Sequence, residues 1–207
     1  MPKVQKSGVS KNRLEALTDG IFAFALTVLV LTLDIPATAP SPPVPETLQG
    51  LLSGLLPDFL HYVLAFVILA SFWVTHHQFF RRVGAIDRAY IWLTIIGLLF
   101  VALIPFSTNL AGTFDQYPLA AMFFEGNIFI VGVIFYAQWL YAAGGKRLLE
   151  AGTTPAEVEL EKMRLLVMPL TSVAALMLAV TGSLWSSTLY LFTPFFYMWL
   201  QRPTEKE

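Results

Sequence analysis

The chain has 207 residues, of which 56% are hydrophobic and only 13% charged, with thirteen basic and fourteen acidic side chains. A soluble domain carries about 25% charged residues, so this composition excludes an ordinary water-soluble globule and points to a polytopic membrane protein. A net charge of −1 gives no basis for a nucleic-acid partner, and the absence of cysteine excludes disulfides and thiolate metal sites.

The polar start, MPKVQKSGVS, lacks the apolar core of a cleavable signal peptide, so the first apolar run is expected to direct insertion itself. A helix needs about 20 apolar residues to cross a hydrocarbon core of ~30 Å. Six runs meet or approach this: about Leu17–Ile35, Pro57–Phe80, Tyr90–Leu110, Pro118–Ala143, Leu165–Thr181 and Trp185–Leu200. Between the first two, PATAPSPPVPETLQG (36–50) holds five prolines and is expected to be an exposed loop. Residues 144–164 form the other polar break, where Thr154 and Glu157 have the spacing of a capped helix start. Gly182 and Ser183 are expected to turn the chain between the two short final spans. The predicted architecture is one all-α domain over 1–207 with six transmembrane helices.

The basic residues fall in two groups of segments. They occupy the N-terminus (Lys3, Lys6, Lys11, Arg13), the connections after spans two and four (Arg81, Arg82, Arg88, Lys146, Arg147, Lys162, Arg164) and the C-terminus (Arg202, Lys206). The connections after spans one, three and five have none. With an even number of spans, the positive-inside rule puts both termini in the cytoplasm. The aromatic residues near span ends, among them Trp73, Phe79, Phe80, Tyr90, Trp92, Trp139, Tyr141 and Trp185, are expected mostly to form an interfacial belt.

Polar side chains at membrane depth are costly and need partners. His76 and His77 are adjacent and so point about 100° apart on a helix. Only His61 remains as a further histidine, so no metal or haem site is expected, and one buried and one interfacial histidine is the better reading. Glu125 could carry a proton, but a hydrogen-bonded structural carboxylate is favoured. No nucleophile–base order, paired acids or phosphate loop stands out, so no enzyme and no cofactor is expected.

On a helical wheel of span one, Leu17, Ile21, Phe24, Val28 and Leu31 fall within about 80° of one another, with Thr27 and Gly20 at the edge of the stripe. Arg13 lies under the same line. Asp19 points to the back of the helix, level with His76, His77 and Gln78, and a hydrogen bond to one of these is expected.

RLEALTDGIFAFALTVLVL (13–31), FWVTHHQFF (72–80) and LIPFSTNLAG (103–112), in this order, resemble the first three helices of the transmembrane protein 175 family of lysosomal potassium channels and their bacterial homologues. Arg13, Leu17, Thr18 and Asp19 stand where the family carries Arg, three residues, then Phe-Ser-Asp. The resemblance implies a homotetramer in a bacterial inner membrane, with the first helix of each subunit lining a central pore. It implies a hydrophobic constriction at Phe24, Val28 and Leu31, and a hydroxyl at Thr27 linked to potassium preference. Family members often have Ile at the position of Phe24, which is bulkier. The motif residues Arg13, Thr18, Asp19, Trp73, His76, His77 and Asn109 are then expected to form a structural network that supports the pore. The implied function is a leak-type, potassium-permeable cation channel with modest preference over sodium. A proton-coupled secondary transporter or proton-permeable channel is the alternative.

Overall fold

A computed structural model describes residues 9–33, 45–146, 148–182 and 186–200. It is all-helical among these residues, apart from one isolated antiparallel bridge, Val83 to Leu149. The helices are α1 (Lys11–Val28), α2 (Pro45–Gly54), α3 (Leu56–Arg81), α4 (Arg88–Thr113), α5 (Pro118–Ala143), α6 (Pro155–Val180) and α7 (Thr193–Leu200). Short 3₁₀ segments extend α1 (Leu29–Thr32), follow α5 (Gly144–Lys146) and precede α7 (Ser186–Phe192). Among the described residues, five helices are long and apolar enough to cross a membrane: α1 with its extension, α3, α4, α5 and α6.

Local sequence explains the starts. The Ser10 hydroxyl accepts from the Arg13 amide ahead of α1, and the Asp87 carboxylate accepts from the Tyr90 amide ahead of α4. These side chains satisfy backbone donors that a first turn leaves open. Thr154 and Glu157 form a full capping box, with Pro155 at the first helical position. That cap starts α6 ten residues before the predicted span at Leu165, because a polar first stretch can be helical without lying in hydrocarbon.

Three other expectations need adjustment. The proline-rich loop does not reach residue 50, since α2 begins at Pro45; a proline costs nothing at a first helical position, where its missing N–H is not needed. The part of that loop at 36–44 lies outside the described residues, as do Ser183 and Trp185. The last predicted span is a 3₁₀ segment followed by the eight residues of α7, so its helical hydrogen bonding changes half way. The aromatic belt is largely internal. Phe79, Phe80, Tyr90 and Trp139 are fully buried, and Tyr141 donates to Asp87 at 2.8 Å. Trp139 donates to the Val158 carbonyl at 3.2 Å, so its polar edge is satisfied inside the bundle. Trp92 does remain exposed.

The helix α5 packs along α4 on one side and α6 on the other. Glycines set both approaches. A Cβ on Gly97 would lie 3.1 Å from the Gln138 amide, and one on Gly132 would lie 2.9 Å from the Pro169 ring. Small residues let helix backbones close together where lipid supplies no hydrophobic drive for association. Pro105 interrupts the hydrogen bonding of α4, and Asn127 of α5 donates nearby to the Phe100 carbonyl and the Ser107 hydroxyl, both at 3.3 Å. On the side where the basic residues gather, two connections are joined: Gly84 donates to the Leu148 carbonyl (2.7 Å) and Glu150 to the Arg82 carbonyl (2.8 Å).

Gly132→Ala should destabilise the bundle by about 1–3 kcal/mol, the usual cost of overpacking, because the nearest atoms belong to a rigid ring and the backbone of α6. Gly126→Ala, on the same helix with nothing within 4 Å, should be close to neutral. Thermal unfolding in detergent compares the two; a loss at Gly132 no larger than at Gly126 would mean that the α5–α6 contact is not what the substitution strains.

Candidate functional site

The first helix divides cleanly. Leu14, Thr18, Phe22, Ala25 and Leu29 are buried against α3 and α4, at the 3- and 4-residue spacing of one helical face. The opposite face is bare. Arg13, Leu17, Gly20, Phe24, Thr27 and Leu31 are all exposed, with Phe24 and Leu31 each at 70%. Val28 is half-buried beside them. Of the predicted stripe, Leu17, Phe24 and Leu31, with Thr27 and Gly20 at its edge, lie on the face that α1 does not bury within its own subunit, whereas Ile21 is half-buried against the core. Val30 is also exposed. The tightening to 3₁₀ geometry at Leu29–Thr32 shifts the angular spacing there.

The Thr27 hydroxyl donates to the Ala23 carbonyl of its own helix at 2.8 Å. Its proton is thus engaged and its oxygen is left able to accept, or to face a cation. Thr18 does the same internally, donating to the Leu14 carbonyl at 2.9 Å, which lets a hydroxyl sit in the core.

The rotation of α1 is set by two contacts to α3. The Trp73 indole donates to Asp19 at 2.9 Å. One turn away, His77 Nδ1 lies 3.8 Å from the Glu15 carboxylate. The Trp73 and His77 rings stack with centroids 5.9 Å apart. Glu15 and Asp19 are four residues apart on α1, Trp73 and His77 four apart on α3, and the helices are antiparallel, so the four side chains form a two-rung ladder. The expected partner of Asp19 was a histidine or Gln78; Trp73 takes that place because it sits one turn earlier on α3, where Asp19 is level with it. Glu15 was missed as a site residue. Its spacing from Asp19, matched by that of Trp73 and His77, is the signal that could have found it.

His76 does not join the ladder. It is buried among Phe22, Phe79, Phe80 and Phe135, with ring centroids 4.8 to 6.3 Å away, and its Nε2 has no partner among the described residues. The two histidines thus divide into one buried and one at the surface, as their 100° separation requires. Arg13 is likewise outside the ladder: it stands on the bare face and forms no ion pair among the described residues. Asn109 is not in this network at all. It lies at the far end of the bundle, where it lines a polar cavity of about 280 Å³ with Thr32, Asp58, His61 and Thr108.

Glu125 is fully buried and held by the last segment of the chain. Ser187 donates to one carboxylate oxygen at 2.8 Å and Tyr190 to the other at 2.5 Å; the Tyr190 oxygen also lies 3.0 Å from the Ser172 hydroxyl. These are the features of a structural carboxylate. Among the described residues no group of three or more His, Cys, Asp or Glu side chains could hold a metal ion.

The profile of a family described as endosomal/lysosomal potassium channel TMEM175 matches residues 13–105, which cover the bare helix and both rungs of the ladder. A potassium channel of Chamaesiphon minutus is 33% identical over 153 residues, spanning 71% of this chain and 73% of that protein. An endosomal/lysosomal proton channel TMEM175 of Bos taurus is 27% identical over 154 residues, so the match covers 70% of this chain but only 31% of the bovine protein. In structure, the chain superposes on a crystal structure of a lysosomal potassium-selective channel TMEM175 homolog from Chamaesiphon minutus with a TM-score of 0.75. That match has 26% identity and covers 93% of this chain and 98% of the other.

A double-mutant cycle tests the ladder. Trp73→Phe and Asp19→Ala should each destabilise the protein, and their coupling should be about 1.5–3 kcal/mol, the range for a hydrogen bond to a charged group. Additive effects in thermal unfolding would mean that the indole–carboxylate contact does not hold α1.

Proposed function

The chain belongs to the TMEM175 channel family, and from that premise we propose that it is a potassium-permeable cation channel whose ion path is lined by α1. The observation that carries this is the bare face of α1: an apolar stripe with one hydroxyl, on a helix whose other face is fully packed. A single subunit encloses nothing with such a stripe. Four copies arranged as a homotetramer would bring four stripes around one axis.

In that arrangement Phe24, Val28 and Leu31 form the narrow part, and an apolar constriction of this kind gates by dewetting. The four Thr27 oxygens replace part of an ion's lost hydration. The stripe carries no ring of acidic side chains, and the chain has no carbonyl-lined filter sequence. Selection is then weak, giving a leak-type conductance with a modest preference for potassium over sodium. Arg13 stands at the entrance, on the same face, and Glu15, Asp19, Trp73 and His77 fix how α1 turns toward the axis. No cofactor takes part. The distribution of basic residues supports both termini in the cytoplasm, and the bacterial relative supports a location in a bacterial inner membrane. Proton permeation through the same path is the second reading, favoured by the name of the bovine relative.

Purified protein in liposomes under an imposed potassium gradient should show uncoupled flux. Phe24→Ala should raise that flux several-fold by widening the constriction, and an unchanged flux would remove Phe24 from that role. Thr27→Val should lower the preference for potassium; a reversal potential that does not move under biionic conditions would contradict the hydroxyl's part in selection.

A further inference from the structure

At the end of the bundle that carries the basic residues, a cavity of about 530 Å³ opens between α3 and α6, lined by Gln78, Arg81, Arg82, Glu161 and Arg164. Three guanidinium groups face one carboxylate there, which leaves two positive charges in excess. Glu161, fully buried, is shared: Arg82 lies 3.1 Å and Arg164 2.8 Å from its Oε1. This sharing fixes both arginines in place. Each member still has something to offer. Arg164 is nine-tenths buried and its Nε has no partner among the described residues, and neither has Glu161 Oε2. Arg81 is exposed at the rim.

A second cavity, of about 360 Å³ and almost wholly apolar, lies between α3 and α7, lined among others by Phe66, Ala70, Val74, Pro194 and Met198. It also reaches Gln78, so one residue borders both. From Gln78 to Phe66 the groove follows about 18 Å of helix. That is close to one leaflet of a hydrocarbon core of ~30 Å. Phe66, Val74 and Met198 are exposed along it.

We propose that these two cavities form one binding site for an anionic phospholipid, with the phosphate among Arg81, Arg82 and Arg164 and an acyl chain in the groove between α3 and α7. The head region meets a preset bidentate donor group, since arginine matches phosphate geometry. Basic pockets between membrane helices are suited to anionic headgroups. A headgroup hydroxyl would also satisfy Glu161 Oε2, which makes phosphatidylglycerol a suitable probe. The apolar groove is what distinguishes a lipid from a free phosphate ion, which would use only the arginine cavity. The site is independent of which ion the chain passes, and it lies away from the bare face of α1.

The full chain is purified in detergent and offered phosphatidylglycerol or phosphatidylcholine, with bound lipid counted by native mass spectrometry and inorganic phosphate as the competing anion. Phosphatidylglycerol should be retained over phosphatidylcholine. Arg81→Gln, at the exposed rim, should weaken it about fivefold, as expected for one basic residue at an anionic headgroup. Ala70→Phe, which fills the groove, should weaken it as well while leaving stabilisation by inorganic phosphate unchanged. Equal retention of both lipids, or indifference to both variants, would overturn the proposal. So would full competition by phosphate with no effect of Ala70→Phe, which would indicate a free-anion site. Disulfide cross-linking between copies carrying Val74→Cys would assign the groove to a subunit contact and overturn it too.

Discussion

The rotation of α1 about its own axis decides what the rest of the protein can do. Once Leu14, Thr18, Phe22, Ala25 and Leu29 are buried against α3 and α4, Phe24, Thr27 and Leu31 can only point away from the subunit. Apolar packing alone fixes this loosely, because in hydrocarbon a turned helix still faces apolar surroundings. The Asp19–Trp73 hydrogen bond is directional and removes that freedom, with Glu15 lying 3.8 Å from His77 one turn away. Two charged groups near the end of a membrane helix thus act on geometry several turns away, at positions they never touch.

The same economy governs the rest of the bundle. Without water, each polar group must find a protein partner or remain costly. Glu125 is satisfied by Ser187 and Tyr190, which ties the last segment to α5. One oxygen of Glu161 accepts from both Arg82 and Arg164, which ties the end of α3 to α6. Breaking such a buried pair by removing one member costs several kcal/mol, so these ties give the scaffold stiffness around the helix that has one unpacked face. Glu125 therefore does not signal transport by itself: both its oxygens are already committed to the fold.

Much of this could be read in the sequence, for identifiable reasons. Spans on α3, α4 and α5 were found within a few residues, because length and hydropathy set them directly. The capping box at Thr154 and Glu157 is local chemistry and was visible as such. The bare stripe on α1 followed from helical spacing. The failures are tertiary. Trp139 and Tyr90 sit near span ends like belt residues, yet neighbouring helices enclose them. Asp19 pairs with Trp73 and not with a histidine because the register of α1 against α3 cannot be read from either helix alone. Asn109 shares a sequence likeness with the other motif residues but lies at the opposite end of the bundle.

The chain has no cysteine, so single cysteines can be placed at will. The most direct test is potassium flux in liposomes carrying Thr27→Cys or Leu31→Cys on the bare face, or Ala25→Cys on the packed face, before and after a membrane-impermeant cationic thiol reagent. If α1 lines the ion path through its bare face, the reagent blocks flux at positions 27 and 31 and leaves the position 25 variant unaffected. Block at position 25, or none at 27 and 31, would contradict the assignment of the pore to this face.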